Sequence, residues 1–146
     1  MKIRQAKVAD INSIYRLGNK EFKEEVWFDK RLIKDLIIKY PKFTWLLEDN
    51  GKVIGARFVF ESWGETAWGW LLVIKDNMRR KGLGTYLFKE TCKRLKKMGY
   101  SRLMTDVYVK NKSSINWHNK VGYKNVGRVK DWFGKNKDAV IFLKEL

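Results

Sequence analysis

Between Ala67 and Met98 the apolar pattern changes period. Ala67-Trp68-Gly69-Trp70-Leu71-Leu72-Val73-Ile74 is a near-continuous apolar run that suits a strand, whereas Leu83, Leu87, Phe88, Leu95 and Met98 recur at helical spacing. Lys89, Lys93, Lys96 and Lys97 fall on other faces of that helix, and Gly99 can cap its end. The junction is Arg79-Arg80-Lys81-Gly82-Leu83-Gly84. Any fold open to this chain must carry a strand that hands over to a long amphipathic helix through a basic, glycine-bearing turn.

The segments around this junction have their own signals. Residues 2 to 8 alternate as a short strand, and Asp10 can cap a helix bearing Ile11, Ile14, Tyr15, Leu17 and Phe22. Asp29 can cap a second helix with Leu32, Ile33, Leu36 and Ile37 on one side and Pro41 at its end, and the connection before it carries Trp27 and Phe28, expected to be exposed. Phe43 to Glu48 and Val53 to Phe60 flank Asn50-Gly51, a hairpin signal, and a second turn at Ser62 to Glu65 leads into the apolar run. After the long helix come a strand from Ser101 to Lys110, a short helix capped by Ser113 and ending before Gly122, and strands at Tyr123 to Val129 and Ala139 to Leu143. Nothing in residues 1–146 reads as a linker or repeat, so one domain is expected.

Charge narrows the partners. Thirty-two Lys+Arg against 16 Asp+Glu give a formal +16, which favours anionic ligands. Nucleic acid or a ribosome surface is therefore a rival reading, although neither an RNP1 nor a GXXG signature occurs. Cys92 is the one cysteine, so a disulfide and a CxxC metal site are excluded and no metal is expected. The N-terminal residues lack a signal-peptide core and no run of about 18 apolar residues exists, so a cytoplasmic protein without a membrane span is expected.

A helix start presents unpaired N–H groups and the positive end of its dipole, and glycines admit phosphate oxygens to that backbone. Gly82 and Gly84 stand where this requires them, with Arg79, Arg80 and Lys81 adding charge suited to a diphosphate. The same two glycines also suit a plain tight turn. A P-loop and a dinucleotide-binding turn are excluded, because no GxxxxGK[ST] occurs and no third glycine follows at GxGxxG spacing.

Two motifs together resemble the GNAT superfamily of acetyl-CoA-dependent N-acetyltransferases. Arg79-x-x-Gly82-x-Gly84 is similar to its [QR]-x-x-G-x-[GA] turn, and Asn111 through His118 to Gly122-Tyr123 is similar to its second signature. The resemblance spans nearly the whole chain and implies an α+β fold: a central, mostly antiparallel seven-stranded sheet, splayed between its fourth and fifth strands and flanked by helices. It implies acetyl-CoA held by Leu72, Val73, Ile74, Arg79, Arg80, Lys81, Gly82, Leu83, Gly84, Thr85, Asn111, Ser114 and His118, with acetyl transfer to an amine on a protein or small molecule. Asp76 departs from the family's common Pro and Tyr123 from its Phe.

Acetyl transfer needs a proton for the departing thiolate, a neutral amine and stabilisation of the developing oxyanion. The resemblance gives the oxyanion contact to the Ile74 N–H. His118 occupies the family's Tyr position and can serve as the acid. Asp106, five residues before Asn111 on an otherwise apolar strand, matches the Glu base of members resembling ribosomal-protein N-terminal acetyltransferases. A plain ion pair is the other reading of Asp106, and Glu61 and Glu65 are fallback bases. Trp27, Phe28, Tyr108, Trp132 and Phe133, with Trp68 and Trp70, are candidate acceptor lining. Trp132-Phe133 stands where the N-terminal acetyltransferases carry a peptide-gripping Tyr pair, and lacks both hydroxyls. A cofactor-binding protein without turnover is a further alternative, and the last strands could pair two copies into a homodimer.

Overall fold

A computed structural model of the chain describes residues 1–22 and 28–146. In chain order it runs β1 (Lys2–Gln5), α1 (Ile11–Phe22), α2 (Lys30–Lys39), β2 (Thr44–Asp49), β3 (Lys52–Glu61), β4 (Thr66–Ile74), α3 (Leu83–Lys97), β5 (Arg102–Tyr108), α4 (Lys112–Lys120), β6 (Lys124–Val129) and β7 (Ala139–Glu145). Short 3-10 turns stand at Val8–Asp10, Pro41–Phe43 and Asp76–Met78. The strands form a seven-stranded sheet in the order β1-β2-β3-β4-β5-β7-β6. Among the described residues only β4 and β5 pair in parallel, so the sheet is the mixed, mostly antiparallel one expected. That parallel ladder joins Thr66–Gly69 to Arg102–Thr105. Two compact units result, Met1–Phe60 with Leu71–Thr91 and Glu61–Trp70 with Cys92–Leu146.

In the first unit, Asn50 (φ 48°) and Gly51 (φ 74°) are both left-handed and make the two-residue turn that the Asp49↔Lys52 pair requires. Asp29 caps α2 by accepting from the Leu32 N–H at 2.7 Å. Asp10 does not cap α1 as expected. It ends a 3-10 turn that shortens the first strand, and its carboxylate turns back to the Lys7 N–H and to both Arg4 terminal nitrogens, each at 2.8 Å. The bidentate guanidinium is a stronger partner than a first-turn amide, and it holds the Asp10 carboxyl below its usual range. Phe28 is also corrected: it is buried, 3% exposed, and stacks on Tyr15 at 5.6 Å. Its ring sits where a Cβ on Gly18 would come within 2.5 Å, so α1 accepts it only because residue 18 has no side chain. Trp27 lies outside the described residues.

Leu47, Ile54, Ile74, Leu83 and Leu87 form one buried cluster that pins the start of α3 against the end of β4. Within the same unit Arg57 is an anomaly, 4% exposed on β3, with Nη1 donating to the Leu71 carbonyl at 3.3 Å and Nε and Nη2 lacking acceptors. A buried guanidinium with two unmet nitrogens gains little from its single bond and carries a large desolvation penalty. Arg57→Met should therefore leave the melting temperature unchanged or raise it; a fall of more than about 5 °C, on the order of 1 kcal/mol for a domain of this size, would show that the charge holds the fold.

In the second unit β5 alternates, with Leu103, Thr105 and Val107 buried and Met104, Asp106 and Tyr108 half-buried, so the two sets face opposite sides of the sheet. Phe142 on β7 pairs with Thr105 and is buried with Tyr123. Asn111, not Ser113, caps α4: its side-chain oxygen accepts from the Ser114 N–H at 3.1 Å, and the helix starts two residues earlier than a Ser113 cap would allow. β6 is an edge strand exposed at every position and bulged between Asn125 and Gly127.

Candidate active site

The first unit carries the basic glycine turn. After β4 the chain makes the Asp76–Met78 turn, passes Arg80 at φ 59° and Gly82 at φ 77°, and enters α3 with the Tyr86 N–H bonded to the Gly82 carbonyl. Two left-handed residues so close together reverse the chain and aim the first amides of the helix outward. Among the described residues no protein acceptor engages the Leu83 or Gly84 N–H. A Cβ at Gly82 would meet no protein atom within 4 Å, so the approach to this backbone is open. Arg80 and Lys81 are exposed beside it. Arg79 is not: its Nε donates to the Ile74 carbonyl at 2.9 Å, Nη2 pairs with Asp76 at 3.0 Å and Nη1 pairs with Glu21. Of the three cations the sequence offers to a diphosphate, two face outward and one ties the turn to β4 and α1. The open amides and two cations fit a diphosphate. Leu72 is half-buried, Val73 and Ile74 are buried, and Thr85 is half-buried in the first turn of α3.

The second unit holds the remaining candidates. His118 on α4 donates from Nδ1 to the Ser114 carbonyl one turn earlier at 2.7 Å, with the Ser114 hydroxyl 3.3 Å away. That bond fixes the Nδ1–H tautomer, so gain or loss of a proton occurs at Nε2. The ring stacks on Phe142 at 5.2 Å and 17°, with Trp117 and Tyr123 against it at 4.9 and 5.0 Å. These contacts come from α4, β7 and the turn after α4, which is why spacing alone could not reveal them.

Asp106 on β5 accepts a short hydrogen bond from the Trp132 indole Nε1–H. Trp132 also lies 6.5 Å from Trp68 at 37°, while Tyr108 meets Phe133 edge-on at 6.4 Å. Trp70 is half-buried on β4. The fallback acids serve elsewhere: Glu61 accepts from the Tyr100 hydroxyl at 2.7 Å and Glu65 from the Ser101 hydroxyl at 2.8 Å. Burial first, then Glu61, pushes the Tyr100 hydroxyl up to about 12. Among the described residues no group of three or more His, Cys, Asp or Glu could hold a metal ion, and no helix is long and apolar enough to cross a membrane.

A residue that sequence reading passed over organises the connection bearing Trp132. Asp138 accepts from the Asp131 N–H at 3.0 Å and from Arg128 at 2.7 Å, while Asp131 in turn accepts from the Asn136 N–H at 2.7 Å. Asp131 (φ 55°) and Asn136 (φ 61°) are left-handed, as short polar side chains allow. The pair Asp131…Asp138 was visible as spacing, but nothing local said that the two would meet.

The sequence profile described as the acetyltransferase (GNAT) family matches residues 9–123. The chain belongs to that family. It is 22% identical over 152 residues to an N-alpha-acetyltransferase of Sulfurisphaera tokodaii (strain DSM 16993 / JCM 10545 / NBRC 100140 / 7), covering 96% of this chain and 90% of that one. Ard1 from Thermoplasma volcanium superposes with a TM-score of 0.90 at 20% identity, over 99% of this chain and 97% of that chain. The Salmonella typhimurium protein yncA, solved with its cofactor acetyl-CoA, superposes at 0.79 and 22% identity, over 100% of this chain and 94% of that one. At such identities the solved structures establish the shared fold.

The Asp131 N–H, then Arg128, hold the Asp138 carboxyl below its ordinary 3.8. Because folding lowers this pKa, the carboxylate's contribution is full above the ordinary value and fades as pH falls below it. Asp138→Asn should accordingly quicken tryptic cleavage at Lys130, Lys135 and Lys137 about fivefold at pH 7. Wild type and variant should converge in local amide exchange as pH falls through the lowered pKa of the folded state, and equal cleavage rates at pH 7 would show that the carboxylate does not organise the connection.

Proposed function

We propose that the chain transfers the acetyl group of acetyl-CoA to a primary amine, the whole of residues 1–146 acting as one N-acetyltransferase domain. The observation that carries this is the start of α3: an open turn with outward amides and two free-standing cations, in a chain whose family is acetyl-transferring. Arg80 and Lys81, with the amides of Gly82 to Thr85, would hold the diphosphate, and Arg79 would shape the turn. The family resemblance adds the strand backbone at Leu72 to Ile74, and Asn111, Ser114 and His118, as proposed cofactor contacts. When bound, acetyl-CoA supplies an activated thioester.

The chain's own groups supply the proton traffic. Asp106 is held through Oδ2 by the indole, and its Oδ1 takes the proton of the acceptor ammonium. The amine nitrogen would then bond to the thioester carbon, whose oxygen the Ile74 N–H would meet, and, as the carbon–sulfur bond breaks, the nitrogen's surplus proton would pass to solvent, leaving the amide. His118, its Nδ1–H committed to Ser114, gives the sulfur a proton from Nε2. Trp132, Phe133, Tyr108 and, by position in the sequence, Trp27 are proposed to flank the acceptor; Phe28, buried against Tyr15 and Gly18, is not. The name of the Sulfurisphaera protein points toward an α-amine. Trp132 and Phe133 offer no hydroxyls to a peptide, which keeps lysine and small-molecule amines in the class.

Acetyl-CoA at about 100 times its Kd should stabilise the protein by about 2.7 kcal/mol in a thermal-shift titration. His118→Ala should keep that shift and lower kcat about 10²-fold. Absence of the shift in the wild type would end the reading, and an unchanged kcat in the variant would remove His118 from the chemistry.

A further inference from the structure

Trp132 has one polar atom, and that atom is directed inward to Asp106 rather than outward. The rest of the side chain stays 48% exposed, and the half-buried Trp68 ring stands beside it. Among the described residues Asp106 forms no ion pair and accepts through Oδ2 alone, from the indole. The carboxylate therefore has one oxygen clamped and one oxygen open beside the Trp132 indole, on which the Trp68 ring abuts.

We infer that Asp106, Trp132 and Trp68 form a seat for a protonated primary amine borne on an apolar body, that is, an alkyl- or arylalkylamine. This rests on the acetyl-transfer reading and names its acceptor class. Aromatic faces attract cations through their quadrupole, and a carboxylate beside them adds a charge-assisted hydrogen bond to an ammonium. The indole N–H holds the carboxylate in one rotamer, which makes Trp132 a positioning residue for Asp106. The carbon skeleton of the amine lies on the rings, where burial of apolar surface is favourable. With its N–H already engaged, Trp132 offers no hydrogen bond with which to read a peptide backbone, so a polar-bodied amine gains only the ammonium contact.

The Trp132 indole N–H resonance, assigned by its loss in Trp132→Phe, reports the seat without turnover. Phenethylamine and hexylamine should move it, whereas ethanolamine and Ala-Ala-Ala amide should move it less at equal concentration. In a coenzyme A thiol-release assay the first two should exceed the others in kcat/KM about tenfold or more. Trp132→Phe, which keeps a ring and removes the N–H, should raise KM for phenethylamine about fivefold while leaving the acetyl-CoA thermal shift in place, and Asp106→Asn should abolish the amine-induced shift. Better turnover of Ala-Ala-Ala amide, an unmoved resonance or an unchanged KM in Trp132→Phe would each overturn the inference. The acetyl-CoA thermal shift, run alongside, separates the two levels: its absence removes the acetyl-transfer reading, while the resonance still reports whether the amine is seated.

Discussion

Arg79 is the tie on which the basic turn depends. A left-handed residue costs about 1 kcal/mol or more outside glycine, and Arg80 and Gly82 both take that conformation within three positions. What over-determines them is the preceding guanidinium, bonded to the last carbonyl of β4, to Asp76 within the turn and to Glu21 at the end of α1. Three acceptors from three local elements fix where the strand stops and where the helix begins. The buried Leu83, packed with Ile74 and Leu87, completes the clamp from the apolar side.

His118 shows a related economy. Its ring nitrogen bonds to a carbonyl of its own helix, and its faces pack on Phe142, Trp117 and Tyr123. A histidine so confined has one tautomer and little rotational freedom, which is a requirement for donating a proton in a defined direction. The same packing would equally stabilise a histidine with no chemical duty, so the test lies in turnover rather than in geometry.

Much of the architecture was legible in the sequence because it is dictated locally. Asn50-Gly51 fixes a hairpin by its backbone preference, the spacing of Leu83, Leu87 and Leu95 makes a helix, and Asp29 reaches an amide three residues on. Legibility failed where a side chain chose among distant partners. Asp10 had a first-turn amide within reach and found Arg4 instead; Asn111 took the capping role offered to Ser113; Phe28 was drawn under the bare backbone of Gly18. At the candidate site the residue types were readable, but Arg79 facing inward and Asp106 meeting Trp132 from a connection 26 positions away were not. Periodicity reports which face a residue lies on; it does not report which of several satisfying bonds wins.

The connection between β6 and β7 is held almost wholly by its own groups: Asp138 on Asp131 and Arg128, Asp131 on Asn136, and the Phe133 and Lys137 backbones on one another. Its shape therefore does not depend on what Trp132 carries beyond Cβ. The chain possesses, in effect, an interchangeable nib: a rigid holder whose tip can be replaced without disturbing the register of the strands that grip it. If the acetyl-transfer reading holds, the preference for an acceptor on such a scaffold would change by exchange of a single side chain.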